Sequence, residues 1–180
     1  MIIPRRTSWK SWLLPLMAAL TACGSTEADR YEELQGLDAP QALQRANQWR
    51  DAGGLQSSVT AQAVEFRFPD GRTHRAPLPR DEMMVSVAPY RTQTHPCTVH
   101  STSGCQGELV GVPVNVRVTD HEGRTVLEGT MTTQDNGFVD LWLPRQQRLT
   151  LHLSSGGTEA TGRIETFADS PTCITSLQLR

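Results

Sequence analysis

Two cysteines and two histidines fall within the stretch HPCTVHSTSGC, His95 to Cys105, of a chain that holds four cysteines in all. Cys97 and His100 are three positions apart, so a turn or a helical turn points both side chains the same way, whereas a strand would split them across its faces. The STSG segment before Cys105 is turn-forming and gives the chain room to fold the second thiol back onto the first. Two thiolates with one imidazole, or three thiolates if Cys173 joins them, make a soft donor set. Such a set suits Cu(I) or Zn(II) and suits Mg(II) or Ca(II) poorly, because those ions take oxygen ligands. The spacing C-x2-H-x4-C matches no common zinc-finger pattern. A disulfide between Cys97 and Cys105 is the competing reading. It leaves His100 and Cys173 without a role, and Cys173 taken alone also reads as a small apolar core residue.

The other chemistry-bearing residues point less sharply. His95 reads as a surface histidine beside the cluster, with an outer ligand as the alternative. Met83 and Met84 offer thioethers but read as core residues. Glu108 is either a hydrogen-bond partner of the ligand histidine or a solvated carboxylate at a strand end. Ser101 and Ser103 lie near His100, yet no G-x-S-x-G elbow and no acid partner in order supports a hydrolase, and no enzymatic turnover is expected. Two thiols can reduce two Cu(II) ions while closing one disulfide; this is stoichiometric chemistry and needs a reductant to restore the thiols.

Location decides how the thiols are read. Arg5, Arg6 and Lys10 precede an apolar run from Trp12 to Leu20, which is far short of the ~20 residues a spanning helix needs. The run ends in Leu20-Thr21-Ala22-Cys23, which resembles the lipobox of bacterial lipoproteins. Residues 1–22 therefore read as a lipoprotein signal peptide, with Cys23 the acylated residue. Gly24, where such lipoproteins retained at the inner membrane typically carry aspartate, favours an outer-membrane anchor facing the periplasm. In that compartment thiols are normally oxidised in pairs. Three cysteines remain after Cys23, so one must stay free, pair between molecules or be held by a metal.

Removing residues 1–22 takes three of the 17 basic residues and no acidic one, leaving 14 against 19 and no lysine. A chain of that balance lacks the basic patch that nucleic acid or an anionic membrane surface requires. Contact with the membrane is expected only through the lipid.

The elements that must position the cysteines fall into two parts. Residues 23–37 read as a polar tether. In residues 38–90, a small α+β part, Asp38 is an N-cap with Pro40 in the first turn of one short amphipathic helix that stops at Gly53-Gly54. VEFRF then alternates apolar and charged residues, PDGR supplies a turn, and a polar strand returns as a hairpin. An apolar strand around Met83 to Val87 leads into the cysteine cluster. Residues 91–180 read as an antiparallel β-sandwich. In VGVPVNVRV the valines at 110, 112, 114, 116 and 118 share one face, and Pro113 marks an edge strand or a strand start. The overall class is mainly β. The run from Leu109 resembles transthyretin-like and carboxypeptidase-regulatory sandwiches, or an Ig-like one, a likeness of fold that carries no activity.

YRTQTHPCTVHSTSGCQGEL and the late TCITSLQL, together with the exported start, closely resemble the CueP family of periplasmic copper-binding proteins. The resemblance implies Cu(I) held by thiolates at Cys97, Cys105 and Cys173 with His100 in the same motif. It further implies a chain that dimerises through its N-terminal region, copper sequestration, and supply to a periplasmic cuproenzyme such as a copper–zinc superoxide dismutase. A lipid tether at Cys23 departs from a soluble periplasmic carrier. Outside the resemblance, a structural Zn(II) knot and a metal-free envelope adaptor stapled by Cys97–Cys105 remain open.

Overall fold

The computed structural model describes residues 26–180. The signal segment and Cys23 lie outside the described residues. Within the stretch expected as tether, Glu27–Leu34 forms a helix, α1. Its start is set by a reciprocal cap: the Thr26 hydroxyl accepts from the Asp29 amide and the Asp29 carboxylate accepts from the Thr26 amide, at 3.1 and 2.8 Å. The second helix, α2 (Ala39–Gln48), starts at Asp38 as the sequence predicts, and Gln41 completes the same kind of cap. It turns Ala42, Leu43 and Ala46 onto the first sheet.

That sheet is built from β1 (Gln56–Val59), β2 (Ala63–Arg67) and β3 (Thr73–Pro77), with the predicted hairpin joining β2 to β3. Gly71 takes φ +88 in the hairpin turn, a conformation that suits glycine and strains other residues. Val59, Val64, Phe66 and Phe68 bury under α1 and α2. A fully buried side chain of this size stabilises the fold by about 1.5–3 kcal/mol.

The rest is a two-sheet sandwich in a mainly β chain, antiparallel as the sequence leads one to expect except where the two-residue last strand joins in parallel. One sheet runs β10-β9-β6-β7, from β6 (Pro113–Thr119), β7 (Thr125–Thr132), β9 (Arg148–Ser155) and β10 (Thr158–Glu165). The other runs β11-β4-β8, from β4 (Glu82–Val87), β8 (Val139–Pro144) and the two-residue β11 (Cys173–Ile174). Val114, Val116, Val118, Leu149, Leu151 and Leu153 face Met83, Val85, Val87, Leu141 and Leu143 in the core between them. Val110 does not share this face. It is 47% exposed, because β6 begins only at Pro113, where the missing N–H breaks no ladder.

Two strands cross the boundary that the sequence suggests at 90/91. β4, from the N-terminal side, pairs with β8 and lies parallel to β11 inside the sandwich. The short β5 (His100–Ser101), from the C-terminal side, pairs with β1 and extends the first sheet. The cysteine-bearing segment between them therefore runs along the seam of the two parts. Asp140 on β8 ties the seam on its other side, accepting from Ser86 Oγ at 2.5 Å, Gln134 Nε2 at 2.7 Å and Asn47 Nδ2 of α2 at 3.2 Å.

Candidate metal centre

Residues 94–98 run beside residues 172–175, fastened by four hydrogen bonds. Thr94 Oγ1 donates to Thr175 O and Thr175 Oγ1 donates to His95 O, each at 2.6 Å. The amides of Thr172 and Cys173 both donate to Thr98 O, at 2.9 and 3.2 Å. This pairing brings Cys97 to Cys173, and the two are disulfide-bonded, with Cα atoms 5.5 Å apart. The staple expected as the alternative, Cys97 to Cys105, is therefore not the one formed. The local loop loses to a partner across the sheet seam because the 94–98 strip is held against 172–175 along its whole length.

Cys105 comes back by the turn that its sequence suggests. The Cys105 amide donates to Ser101 O at 2.8 Å, and the Gly104 amide donates to Ser101 Oγ at 3.0 Å. Its free thiol lies 3.5 Å from Cys97 Sγ, and the Ser101 amide donates to it at 3.4 Å. The three sulfurs thus converge, although Cys105 and Cys173 are far apart in sequence.

His100 lies beside them. It is fully buried, its ring packs on Phe138 with centroids 4.5 Å apart, and its Nδ1 is 3.9 Å from Cys173 Sγ. The Nε2 is buried with no hydrogen-bond partner. Burial drives its pKa down to about 4; Asp140 opposes the shift, and Arg50 and His95 add to it. The imidazole is therefore neutral at neutral pH, and a metal can take its lone pair without displacing a proton. A buried ring nitrogen without a partner is costly on its own. The donor set of soft sulfurs and a neutral imidazole fits Cu(I).

Two groupings of three donors meet the distance needed for one ion: His100, Cys105 and Cys173, and also His95, Cys97 and Cys105, each with its ligating atoms within 4.8 Å of one another. His95, read from sequence as a surface residue, is half-buried, and its Nε2 also lacks a partner. The signal that could have found it is its place two residues before Cys97. Glu108 does not touch His100. Its carboxylate accepts from the amides of Arg91 (2.6 Å), Thr92 (3.0 Å) and Gln93 (3.4 Å) and from the Thr92 hydroxyl. These bonds hold its pKa down to about 2 and pin the loop that leads to His95. Met83 and Met84 are fully buried in the two cores. Ser103 accepts the Ser57 amide and, with Ser101, shapes the turn.

The profile described as "Periplasmic copper-binding protein CueP" matches residues 39–178. The chain belongs to the CueP family. The crystal structure of S.CueP superposes with a TM-score of 0.77 at 33% identity, covering 87% of this chain and 99% of that one. No curated protein matches the chain at a significant level. Copper binding and a periplasmic setting come with CueP membership, and among the described residues no helix is long and apolar enough to cross a membrane.

Proposed function

We propose that the reduced protein sequesters Cu(I) through the thiolates of Cys97, Cys105 and Cys173 with the His100 imidazole beside them. The observation that carries this reading is the meeting of three sulfurs beside a buried, neutral imidazole whose Nδ1 lies 3.9 Å from Cys173 Sγ. Enclosing copper in thiolates keeps it from cycling with Cu(II). The Cys97–Cys173 disulfide is then the spent form of the same site. Two thiols give up one electron each to two Cu(II) ions, two protons leave, the S–S bond closes and two Cu(I) ions result. Cys105 keeps its thiol throughout. Without a reductant to reopen the disulfide this is one stoichiometric event, and the protein is not an enzyme.

Family resemblance further supports supply of copper to a periplasmic cuproenzyme, such as a copper–zinc superoxide dismutase, and dimerisation through the N-terminal part. The lipobox supports anchoring through Cys23, on the outer membrane.

The test is Cu(I) affinity of the reduced protein under anaerobic conditions, by competition with a chromophoric chelator. Each of Cys97→Ser, Cys105→Ser and Cys173→Ser should weaken binding by about tenfold or more, and His100→Ala by less, because imidazole is the harder donor. Excess Zn(II) should not displace the copper. If Cys173→Ser binds Cu(I) as the wild type does, or if Zn(II) wins the competition, the reading is abandoned.

A further inference from the structure

The two donor groupings share one residue, Cys105, and differ in depth. His100 is 0% exposed, Cys173 2% and Cys105 9%, whereas His95 and Cys97 are half-buried in a strip whose neighbour Val99 is 51% exposed. Both histidines approach the Phe138 ring, His100 at 4.5 Å and His95 at 6.4 Å between centroids, so the aromatic ring forms a common wall. Both also leave a buried Nε2 without a hydrogen-bond partner. Such orphaned nitrogens are uncommon in a folded protein unless a ligand meets them.

We propose that His95, Cys97 and Cys105 form an outer capture site from which Cu(I) passes to the inner site of His100, Cys105 and Cys173. This inference rests on the Cu(I) reading above and adds a ligand, His95, and a direction. A thiolate-bound Cu(I) exchanges ligands by association, with a new donor arriving before an old one leaves, so a donor common to both sites lets the ion move without ever being free. Cys105 is that donor. His95 and Cys97 meet the ion first because solvent reaches them; His100 and Cys173 hold it because solvent does not, and Cys97, beside Cys173, stays within reach of the ion, so that its loss weakens holding as well as capture. The transfer changes no oxidation state and makes or breaks no covalent bond other than metal–ligand bonds. The Cys97–Cys173 disulfide takes one thiolate from each site at once, so oxidation shuts both capture and storage.

The test separates rate from affinity. Reduced mature protein is mixed anaerobically with the coloured Cu(I)–bicinchoninate complex, and loss of colour gives the second-order rate of capture, while titration gives the equilibrium affinity. His95→Ala should slow capture by about tenfold and change affinity by less than about twofold; His100→Ala should leave the capture rate within about twofold and weaken affinity by about fivefold, less than the loss of a thiolate. His95→Phe keeps an aromatic ring against Phe138 without a donor nitrogen, and it should capture as slowly as His95→Ala. The relay is overturned if His95→Ala captures at the wild-type rate, if His95→Phe restores that rate, or if His95→Ala loses as much affinity as His100→Ala, which would make the five donors one undivided site. If the wild type takes up no Cu(I) at all, it is the function proposed above that fails.

Discussion

His100 Nδ1 and Cys173 Sγ lie 3.9 Å apart across 73 residues of sequence, and the residue that holds them there is Thr172. Its hydroxyl accepts from the His100 amide at 3.1 Å and donates to Val59 O at 2.6 Å, while the whole side chain is 2% exposed. One hydroxyl thus joins β1, β5 and the start of β11. Thr172→Val keeps the shape and leaves a buried N–H and a buried C=O unmet. It should cost about 1–3 kcal/mol in denaturant unfolding and weaken Cu(I) binding by about tenfold, with Thr172→Ser recovering both. A Thr172→Val protein with wild-type stability and affinity would remove Thr172 from this role.

Local signals in the sequence carried the local structure. Asp38 with Pro40 places the start of α2, the PDGR turn places the hairpin, and the valines at 114, 116 and 118 place the core face of β6. Each of these depends on residues within a few positions of one another. The same logic missed α1, where Thr26 and Asp29 are a capping pair inside a stretch whose polar composition reads as tether.

What was hidden is non-local. Nothing near Cys97 tells it to meet Cys173 rather than Cys105, because the choice is made by the pairing of 94–98 with 172–175, at a separation of 76 residues between the bonded cysteines. Nor does the sequence around Glu108 show that its carboxylate gathers the amides of Arg91 to Gln93. The set of thiols and His100 was legible from residue type; the partners were a property of the fold.

Gly107 and Gly137 interlock the loop that carries Cys105 with the turn that carries Phe138. The Gly107 amide donates to Asn136 O at 2.6 Å, and a Cβ on Gly107 would stand 2.7 Å from Gly137 O and 3.1 Å from Ala88 Cβ. Gly137 has φ +77, and a Cβ there would meet Gly107 backbone at 2.7–2.8 Å. Both obstacles are backbone and cannot swing aside. Gly107→Ala and Gly137→Ala should each cost about 2 kcal/mol or more in thermal or denaturant unfolding, and lower copper affinity through the displaced Cys105 and Phe138. Gly36, at φ +82 with open space around it, is the control, and Gly36→Ala should cost about 1 kcal/mol. Equal losses at all three positions would show that the interlock adds nothing beyond backbone conformation.

Glu108 gives the loop at 91–93 a pH dependence of known sign. Its pKa falls from 4.5 to about 2 because the folded state presents hydrogen-bond donors to the charged form, so folding favours the ionised carboxylate. That stability is fully present above pH 4.5 and is lost as the pH falls through about 2. Wild type should therefore lose more stability between pH 5 and pH 2 than Glu108→Gln, which has no charge to lose. Carboxyl NMR titration should place the Glu108 midpoint well below that of an ordinary glutamate. Parallel stability curves for the two proteins, or an unshifted midpoint, would count against the clamp.

The disulfide separates the cross-link from the metal site, because the two use different subsets of the same cysteines. In oxidised, metal-free protein the Cys97–Cys173 bond closes a loop across a separation of 76 residues. A loop of that length restricts the unfolded chain enough to stabilise the fold by about 4 kcal/mol in the chain-entropy picture. Cys97→Ser and Cys173→Ser should each lose that amount in denaturant unfolding, whereas Cys105→Ser, which keeps the bond, should lose much less. Reduction of the wild type should bring it down to the level of the two bond-deficient variants. Copper affinity in the reduced state sorts the same variants differently, because Cys105 belongs to both donor groupings and its loss should weaken binding as much as loss of either bonded cysteine. A protein in which Cys105→Ser costs the full cross-link and Cys173→Ser costs none has its staple between Cys97 and Cys105, and the convergence of Cys173 on His100 would then have to be given up.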